Sequence, residues 1–380
     1  MMSTISERIL DLAATLIAVE SIAERPLDLD RIVDLVAERF SGGNWHVTRF
    51  PETGAPAIYI GTQPGKRADY MLNGHLDVVP GLGDQFTPRL SDAYLIGRGS
   101  VDMKLFDAVA LVALEEIAQR YPDLNAGIYL STDEERGGQR GAKRFVEAGW
   151  GARLLVNGDA GVDHALVTGS KGILRFDMTA RSQPGRMAYP WEGRNAVEIL
   201  LDACQRLRER FPDKDRATAE DNWYSTYSLG DIHSVSEPSC PPHEAHARFG
   251  VNFIDDLSYD ELFMELQALV PEVELQMVNV AERLDVDDSH PLYADFCSLM
   301  GRHFQHPIQR RKDNGSSDAK YFRDAMDHIL IVKMPGEGAH EPDERARLDA
   351  IEPMYHTLLD FAGYTLDLVS RHTFKETIHV

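Results

Sequence analysis

Cysteine is scarce in this chain, with only Cys204, Cys240 and Cys297 among 380 residues. They are odd in number and far apart, which excludes a disulfide framework and a cysteine-rich zinc site and fits a reducing compartment. Long apolar runs are also missing. No stretch approaches the ~18 to 20 apolar residues that a membrane span requires, so no membrane partner is expected and the cytoplasm is the expected location. In the opening segment MMSTISERILDLAATLIAVESI, Glu7, Arg8 and Asp11 interrupt the apolar residues at amphipathic-helix spacing, unlike a signal peptide. Positive charge is in short supply as well: 39 basic residues face 61 acidic ones, for a formal net charge of -22. Such a chain repels phosphate backbones, which argues against nucleic acid as a partner. Internal repeats and low-complexity tracts are absent.

The remaining composition, 43% apolar and 26% charged, is that of a folded globular protein. At this length two cores are expected. Short apolar runs alternate with helical patterns over the first part of the chain: ADYMLNGHLDV, DAVALVALEEIAQRY, AGIYLSTDE, KRFVEAG and RLLVNGD. This order predicts βαβ crossovers and a mainly parallel α/β sheet with helices on both faces, whose ligands gather outside the carboxyl ends of the strands. The pattern returns late in the chain, where DHILIVKMPG reads as a buried strand and RLDAIEPMYHTLLDFAGYTLDLV as a covering helix. One domain is therefore split in sequence, over 1–169 and 288–380. Between its halves, 170–287 reads as an inserted smaller α+β domain, with strands GILRFDMTARS, AHARFGVNFI and VELQMVNV and helices NAVEILLDACQRLRERF and DELFMELQALV.

Polar residues with metal-ligand chemistry fall at the predicted strand ends. In NGHLDVVP, His75 and Asp77 sit two apart at the end of an apolar strand, where one side chain can orient the other. Read alone, the pair is also an ordinary hydrogen-bonded histidine near a turn. In GRGSVDMK, Asp102 precedes a helix beginning near Leu105; it is either a helix cap or a carboxylate with two oxygens to share between two cations. In STDEERGG, a buried strand runs straight into Glu134 and Glu135, whose side chains diverge. One can coordinate metal while the other takes a proton from water; a solvated acidic loop is the competing explanation. Asp159 in NGDAG and His340 in PGEGAHEPDE follow two further strands. Together, His75, Asp102, Glu135, Asp159 and His340 offer each of two metals a histidine and a terminal carboxylate, with one bridging group. Nitrogen and oxygen donors without thiolates suit two catalytic zinc ions, with cobalt as a possible substitute.

These segments together resemble the di-zinc aminoacylase and carboxypeptidase family that includes succinyl-diaminopimelate desuccinylase, acetylornithine deacetylase and glutamate carboxypeptidases, over nearly the whole chain. The resemblance implies that His75, Asp102 and Asp159 hold one zinc, and Asp102, Glu135 and His340 the other. It implies that Glu134 is the general base and Asp77 the partner orienting His75. It also implies hydrolysis of an amide bond in a small N-acyl amino acid or short peptide, by deacylation or by peptide cleavage. NGSSDAKYF, with Gly315 and Ser316, resembles the family's substrate loop. In the inserted domain the chain departs from the pattern. GRMAYP puts Arg186 where an oxyanion-stabilising histidine is expected, and FGVNF puts Asn252 where an arginine usually clamps the substrate's carboxylate. These departures leave a second expectation open, a non-catalytic metal-binding protein derived from the family, although the presence of Glu134 favours the enzyme. The inserted domain is also expected to serve as a lid or dimerisation surface, because the helix NAVEILLDACQRL lies beside an exposed strand edge.

Overall fold

The computed structural model describes residues 3–183, 185–211, 222–235 and 239–371. By its contacts the chain divides into two units. One comprises Met1–Thr168, Asp285–Asp313 and Ser317–Val380; the other comprises Gly169–Leu284 and Asn314–Ser316.

The first unit is built on strands that are buried at nearly every position, Arg67–His75, Ala126–Ser131 and Gly151–Asn157. Both faces of such strands must be covered. Alternate side chains divide the work. Tyr70, Leu72, Ile128 and Leu130 share one core with the helices Leu105–Arg120 and Ile351–Ser370. Tyr129 turns to the other face and stacks on Phe145 of the helix Ala142–Glu147, ring centroids 3.9 Å apart, with Phe322 edge-on beside it. Removing the Phe145 ring is expected to cost about 3–5 kcal/mol of stability, because nothing else fills that volume.

Arg67–His75 runs parallel to Ala126–Ser131 on one side and to Gly151–Asn157 on the other, and Met326–Ile331 adds parallel to the latter. Antiparallel strands flank this block: Ala57–Gly61 and His46–Phe50 at one edge, Ala165–Ser170 on the other side. The register aligns His75 with Ser131, and Asn157 with both Asn73 and Ile331, so four strands end along one line. Crevices outside such ends are where open α/β sheets bind ligands. A small sheet of Gly336–Glu337, Arg345–Arg347, Tyr94–Ile96 and Arg89–Leu90 ties together the segments leading to Asp102 and His340.

The second unit holds a four-stranded antiparallel sheet in the order Thr226–Ser234, Glu244–Phe253, Gly172–Arg181, Val273–Ala281. Leu174, Phe176, Met178 and Ala180 point to a core shared with the helices Ala196–Glu209 and Tyr259–Leu269. Asn195 caps the first helix, and a Ser258/Glu261 capping box starts the second. Period two sends Arg175, Asp177, Thr179 and Arg181 to the opposite face. The strand Thr226–Ser234 carries no apolar signal in the sequence: its positions are half-buried or exposed, and a bulge between Leu229 and Asp231 breaks the alternation.

Candidate metal centre

His75 ends its strand 1% exposed. Its Nδ1 lies 3.0 Å from the backbone carbonyl of Asp77 and 3.6 Å from the Asp77 carboxylate. A proton on Nδ1 leaves the Nε2 lone pair for a metal. That Nε2 faces Asp102 Oδ1 at 3.1 Å. Asp77 has a further task that strand periodicity does not reveal. Its carboxylate accepts from the backbone N–H of Glu134 at 3.3 Å and of Glu135 at 3.0 Å, so it also sets the short turn Glu134–Arg136 on which both glutamates stand.

Asp102 does not cap the following helix. It sits in extended backbone at φ −128°, three residues before Leu105. Its second oxygen, Oδ2, lies 3.1 Å from His340 Nε2, which is also 3.1 Å from Glu135 Oε1. A neutral imidazole's bare nitrogen and a carboxylate oxygen are both acceptors and repel each other at this distance unless a cation, proton or metal, lies between them. Asp102 presents this arrangement twice, once to each histidine. His340 itself has φ +67°, a left-handed conformation that histidine adopts only under constraint. The constraint comes from Arg98, whose Nη2 donates to the His340 carbonyl at 3.2 Å, and from Gln85, whose Nε2 donates to the carbonyls of Glu341 and Pro342.

Asp159 follows Gly151–Asn157, and its backbone N–H donates to Asn157 Oδ1 at 3.0 Å. Asn157 in turn donates to Asn73 Oδ1 at 2.7 Å, and Asn73 to the carbonyl of Tyr129 at 3.0 Å. This buried amide relay links three parallel strands directly beneath the ligand positions. The donor atoms then fall into two groups: His75, Glu134 and Asp159, and Asp102, Glu135 and His340, each with atoms within 4.8 Å of one another.

Charge is out of balance here. Burial, helped by the charge of Asp159, pushes the Glu134 carboxyl well above its usual range. Burial and the Asp102 charge push Asp159 up to about 8. Burial opposes ionisation of Asp102 too, but hydrogen bonds from His340 and His75 outweigh it and hold that carboxyl below its ordinary value. For His75, burial disfavours the imidazolium, yet Asp102 and Asp77 raise it well above the ordinary value. Hydrogen bonds to Asp102 and Glu135 push His340 up to about 10. Every one of these groups is asking for positive charge, which divalent cations would supply. The donors fit such ions: oxygen and imidazole nitrogen, no sulfur.

Glu344 is a functional residue that the sequence conceals, one acid among Glu341, Asp343 and Glu344 in a polar loop. It is 1% exposed, accepts from the backbone N–H groups of Gly99, Val101 and Asp102 at 3.0–3.1 Å, and pairs with Arg98 at 2.5 Å. Only its burial distinguishes it from its neighbours. Through Arg98 it couples the Asp102 turn to the His340 loop.

The candidate substrate residues Arg186, Asn252, Gly315 and Ser316 all belong to the second unit. Arg186 is exposed, chelates Glu192 through Nε and Nη2 at 2.9–3.0 Å, and lies 4.1 Å over the Tyr189 ring. Asn252 accepts from Arg175 Nη2 at 2.6 Å and donates to the carbonyl of Asn314 at 3.3 Å, the residue preceding Gly315. The Ser316 hydroxyl oxygen is buried and has no hydrogen-bond partner among the described residues.

A mainly parallel α/β sheet whose strand ends gather histidines and carboxylates into adjoining donor groups defines a metallo-amidohydrolase of the exopeptidase and deacylase kind. Comparison with known proteins agrees. The model of Peptidase family M20/M25/M40 matches residues 71–363, and the chain belongs to that family. It is similar to a succinyl-diaminopimelate desuccinylase of Stenotrophomonas maltophilia, 25% identical over 304 residues that cover 75% of this chain and 80% of that protein. A probable carboxypeptidase of Aspergillus terreus is 29% identical over 236 residues, 60% of this chain and 51% of the relative. Among solved structures, an M20 family metallo-carboxypeptidase from Sulfolobus solfataricus shares the fold with a TM-score of 0.78, at 14% identity over 96% of this chain and 100% of that one. No helix among the described residues is long and apolar enough to cross a membrane.

Proposed function

We propose that this enzyme hydrolyses the amide bond of a small N-acylated amino acid or short peptide, using two zinc ions held by His75, Asp102, Asp159, Glu135 and His340. The observation that carries the reading is the placement of Asp102, whose two oxygens each stand 3.1 Å from a different histidine. A carboxylate so shared is suited to bridging two cations. When bound, such ions activate water and polarise a carbonyl.

The chain's own groups supply the proton handling. Glu134 shares its donor group with His75 and Asp159, yet no side-chain hydrogen bond fixes it among the described residues. Burial gives it a high proton affinity, as a base that must first accept a proton from water and then deliver it to a leaving amine requires. Asp77 positions that base by holding its backbone N–H, and the same carboxylate fixes Glu135. Arg186 is the candidate for steadying the oxyanion. To do so its guanidinium must exchange Glu192 for substrate. The relatives' names speak for both deacylation and removal of a terminal amino acid, and either reaction breaks the same bond.

Glu134→Ala tests the base. Metal content by elemental analysis should stay at the wild-type level while turnover of N-acyl amino acids falls about 10²–10⁴-fold, the usual contribution of general base catalysis. Retention of more than a few per cent of wild-type turnover would remove Glu134 from this role. We also propose that two copies pair through the second unit, where the edge strand Thr226–Ser234 leaves Leu229 40% and Ile232 44% exposed. Sedimentation of the whole chain checks this.

A further inference from the structure

Glu134 carries its carboxyl on a turn, and no side-chain hydrogen bond fixes that carboxyl among the described residues. Its position is only as well defined as the backbone beneath it. The turn Glu134–Arg136 leads into Gly137 and Gly138, both in the left-handed region at φ +97° and +68°. Glycine takes up such conformations without strain, and it also has the most freedom to leave them. The entry to the turn is held by Asp77, which accepts from the N–H groups of Glu134 and Glu135. The glycine end needs a hold of its own.

That hold comes from the short helix Ala319–Phe322. Phe322, 0% exposed, fixes the helix in the core, edge-on to Tyr129 and Phe145. Just before it, Asp318 Oδ2 accepts from the hydroxyl of Ser131 at 2.9 Å, at the end of the strand that leads to Glu134. Asp318 Oδ1 occupies the space that a side chain at 138 would need, so a Cβ there would overlap it. Tyr321 makes the contact with the turn: its Oη donates to the carbonyl of Gly137 at 2.6 Å. Gly137 donates its own N–H to the carbonyl of Glu134 at 2.7 Å. The bonds therefore pass from Tyr321 through Gly137 to the backbone of Glu134, and from there to Asp77 beside His75. All of these residues belong to the first unit.

We infer that Tyr321 is a positioning residue for the reaction: its hydroxyl clamps the glycine end of the turn, as Asp77 clamps the other, and so keeps Glu134 where it meets the reacting water. This role rests on the proposed hydrolysis with Glu134 as base. Tyr321 belongs to neither donor group and acts through the turn alone. A base on an unclamped turn keeps its chemistry and loses its geometry, and misplacement of a catalytic group is costly in rate rather than in binding.

Tyr321→Phe in the zinc-loaded full chain tests this, because it removes the hydroxyl and keeps the ring over which Lys320 Nζ lies at 4.9 Å. The substrate is whichever compound wild type cleaves fastest in a panel of N-acetyl amino acids and dipeptides. In the variant kcat should fall about 10-fold, with KM within about twofold and zinc content unchanged. Hydrogen exchange read by mass spectrometry should show the amides of 132–141 exchanging about 3–10-fold faster, as loss of one hydrogen bond allows. The control is Tyr70→Phe, which deletes another hydroxyl-to-carbonyl bond, to Leu358 at 3.1 Å in the core. It should lower the Tm and leave kcat and the exchange of 132–141 unaltered. An unchanged kcat in Tyr321→Phe, a loss that falls on KM, a kcat loss without faster exchange, or an equal kcat loss in Tyr70→Phe overturns the inference while the hydrolase reading stands. If wild type cleaves no compound of the panel, the hydrolase reading fails separately. Exchange then decides Tyr321 by itself: faster exchange of 132–141 keeps it as the clamp of the turn, and unchanged exchange rejects it.

Discussion

Two regions of this molecule are crowded with charge, and they handle it in opposite ways. On the polar face of the second unit's sheet, acids and bases are matched in pairs: Arg248 with Asp177, Arg181 with Glu244 and Glu274. These are solvent-exposed pairs that add little to stability, and they need no ligand to be satisfied. At the strand ends of the first unit, Asp77, Asp102, Glu134, Glu135 and Asp159 converge on two histidines, where burial, helped by the charge of Asp159 on Glu134 and of Asp102 on Asp159, drives proton affinities up. A balanced surface solvates a fold, whereas an unbalanced buried cluster stores a demand for cations. Arg175 is the exception on that face: its guanidinium donates to the carbonyl of Val251 and to Asn252 Oδ1 and makes no ion pair among the described residues.

The strongest way to break the contrast is Asp102→Asn, which removes the bridge and leaves its shape. An amide offers one acceptor instead of two anionic oxygens, so neither histidine any longer faces an anionic oxygen of residue 102. Hydrolysis should fall at least ~10³-fold and metal content should drop, both read on the same sample, because a site that cannot hold its ions loses activation of water and polarisation of the carbonyl together. Full metal occupancy in that variant would contradict the bridging role.

A smaller effect is expected from Glu344→Gln. The residue touches no proposed ligand atom, but it holds three backbone N–H groups around Asp102 and neutralises Arg98. Loss of such outer support typically weakens metal affinity about 10–100-fold, measurable by competition with a chelator. Unchanged affinity would mean that the Asp102 turn holds its shape without Glu344.

Proton linkage provides a third comparison, between metal-free and zinc-loaded protein. In the metal-free chain His340 is raised to about 10, so its stabilising contribution is complete below its ordinary value of 6.5 and is lost as pH rises through about 10. Asp159 is raised to about 8: folding favours its protonated form, and the cost of ionising it grows as pH climbs from 3.8 to about 8. Both act in one direction. Thermal unfolding of the metal-free protein should therefore show a Tm that is lower at pH 9 than at pH 6. Zinc should flatten or reverse that slope, because it competes with those same protons. A metal-free Tm that rises over this window would argue against the proton demand of the cluster.

Much of this site is readable before folding because ligand positions in an α/β sheet are tied to strand ends, and strand ends are marked by apolar runs. His75 after ADYMLNG and Glu134 after AGIYLSTD need no coordinates to be noticed. Positions set by tertiary packing leave no such mark. Glu344 differs from Glu341 only in what surrounds it. Asp77 reads as a partner for His75, while its bonds to the N–H groups of Glu134 and Glu135 depend on a neighbouring strand. The edge strand Thr226–Ser234 is silent because none of its positions is buried. Arg175 looks like any outward-facing strand residue, and only the register that sets it against Gly250 shows where its guanidinium goes.

The smallest expected effect sharpens the contrast between the second unit's two singled-out arginines. Arg186 has a 65% exposed side chain, a bidentate partner in Glu192 and a ring beneath it, so its charge is already answered. Recruiting it to an oxyanion means giving up Glu192 and the Tyr189 ring, an exchange that is favourable only if substrate offers more than an exposed pair, ~0–1 kcal/mol. If Arg186 keeps Glu192 throughout the reaction, Arg186→Ala should change kcat by less than about threefold, within what loss of a surface pair explains. If the exchange does occur, kcat should fall about 10²–10³-fold with KM little changed, the signature of a donor acting on the transition state alone. Comparing Glu192→Gln separates the cases further: freeing the guanidinium should raise kcat in the second and leave it unaltered in the first.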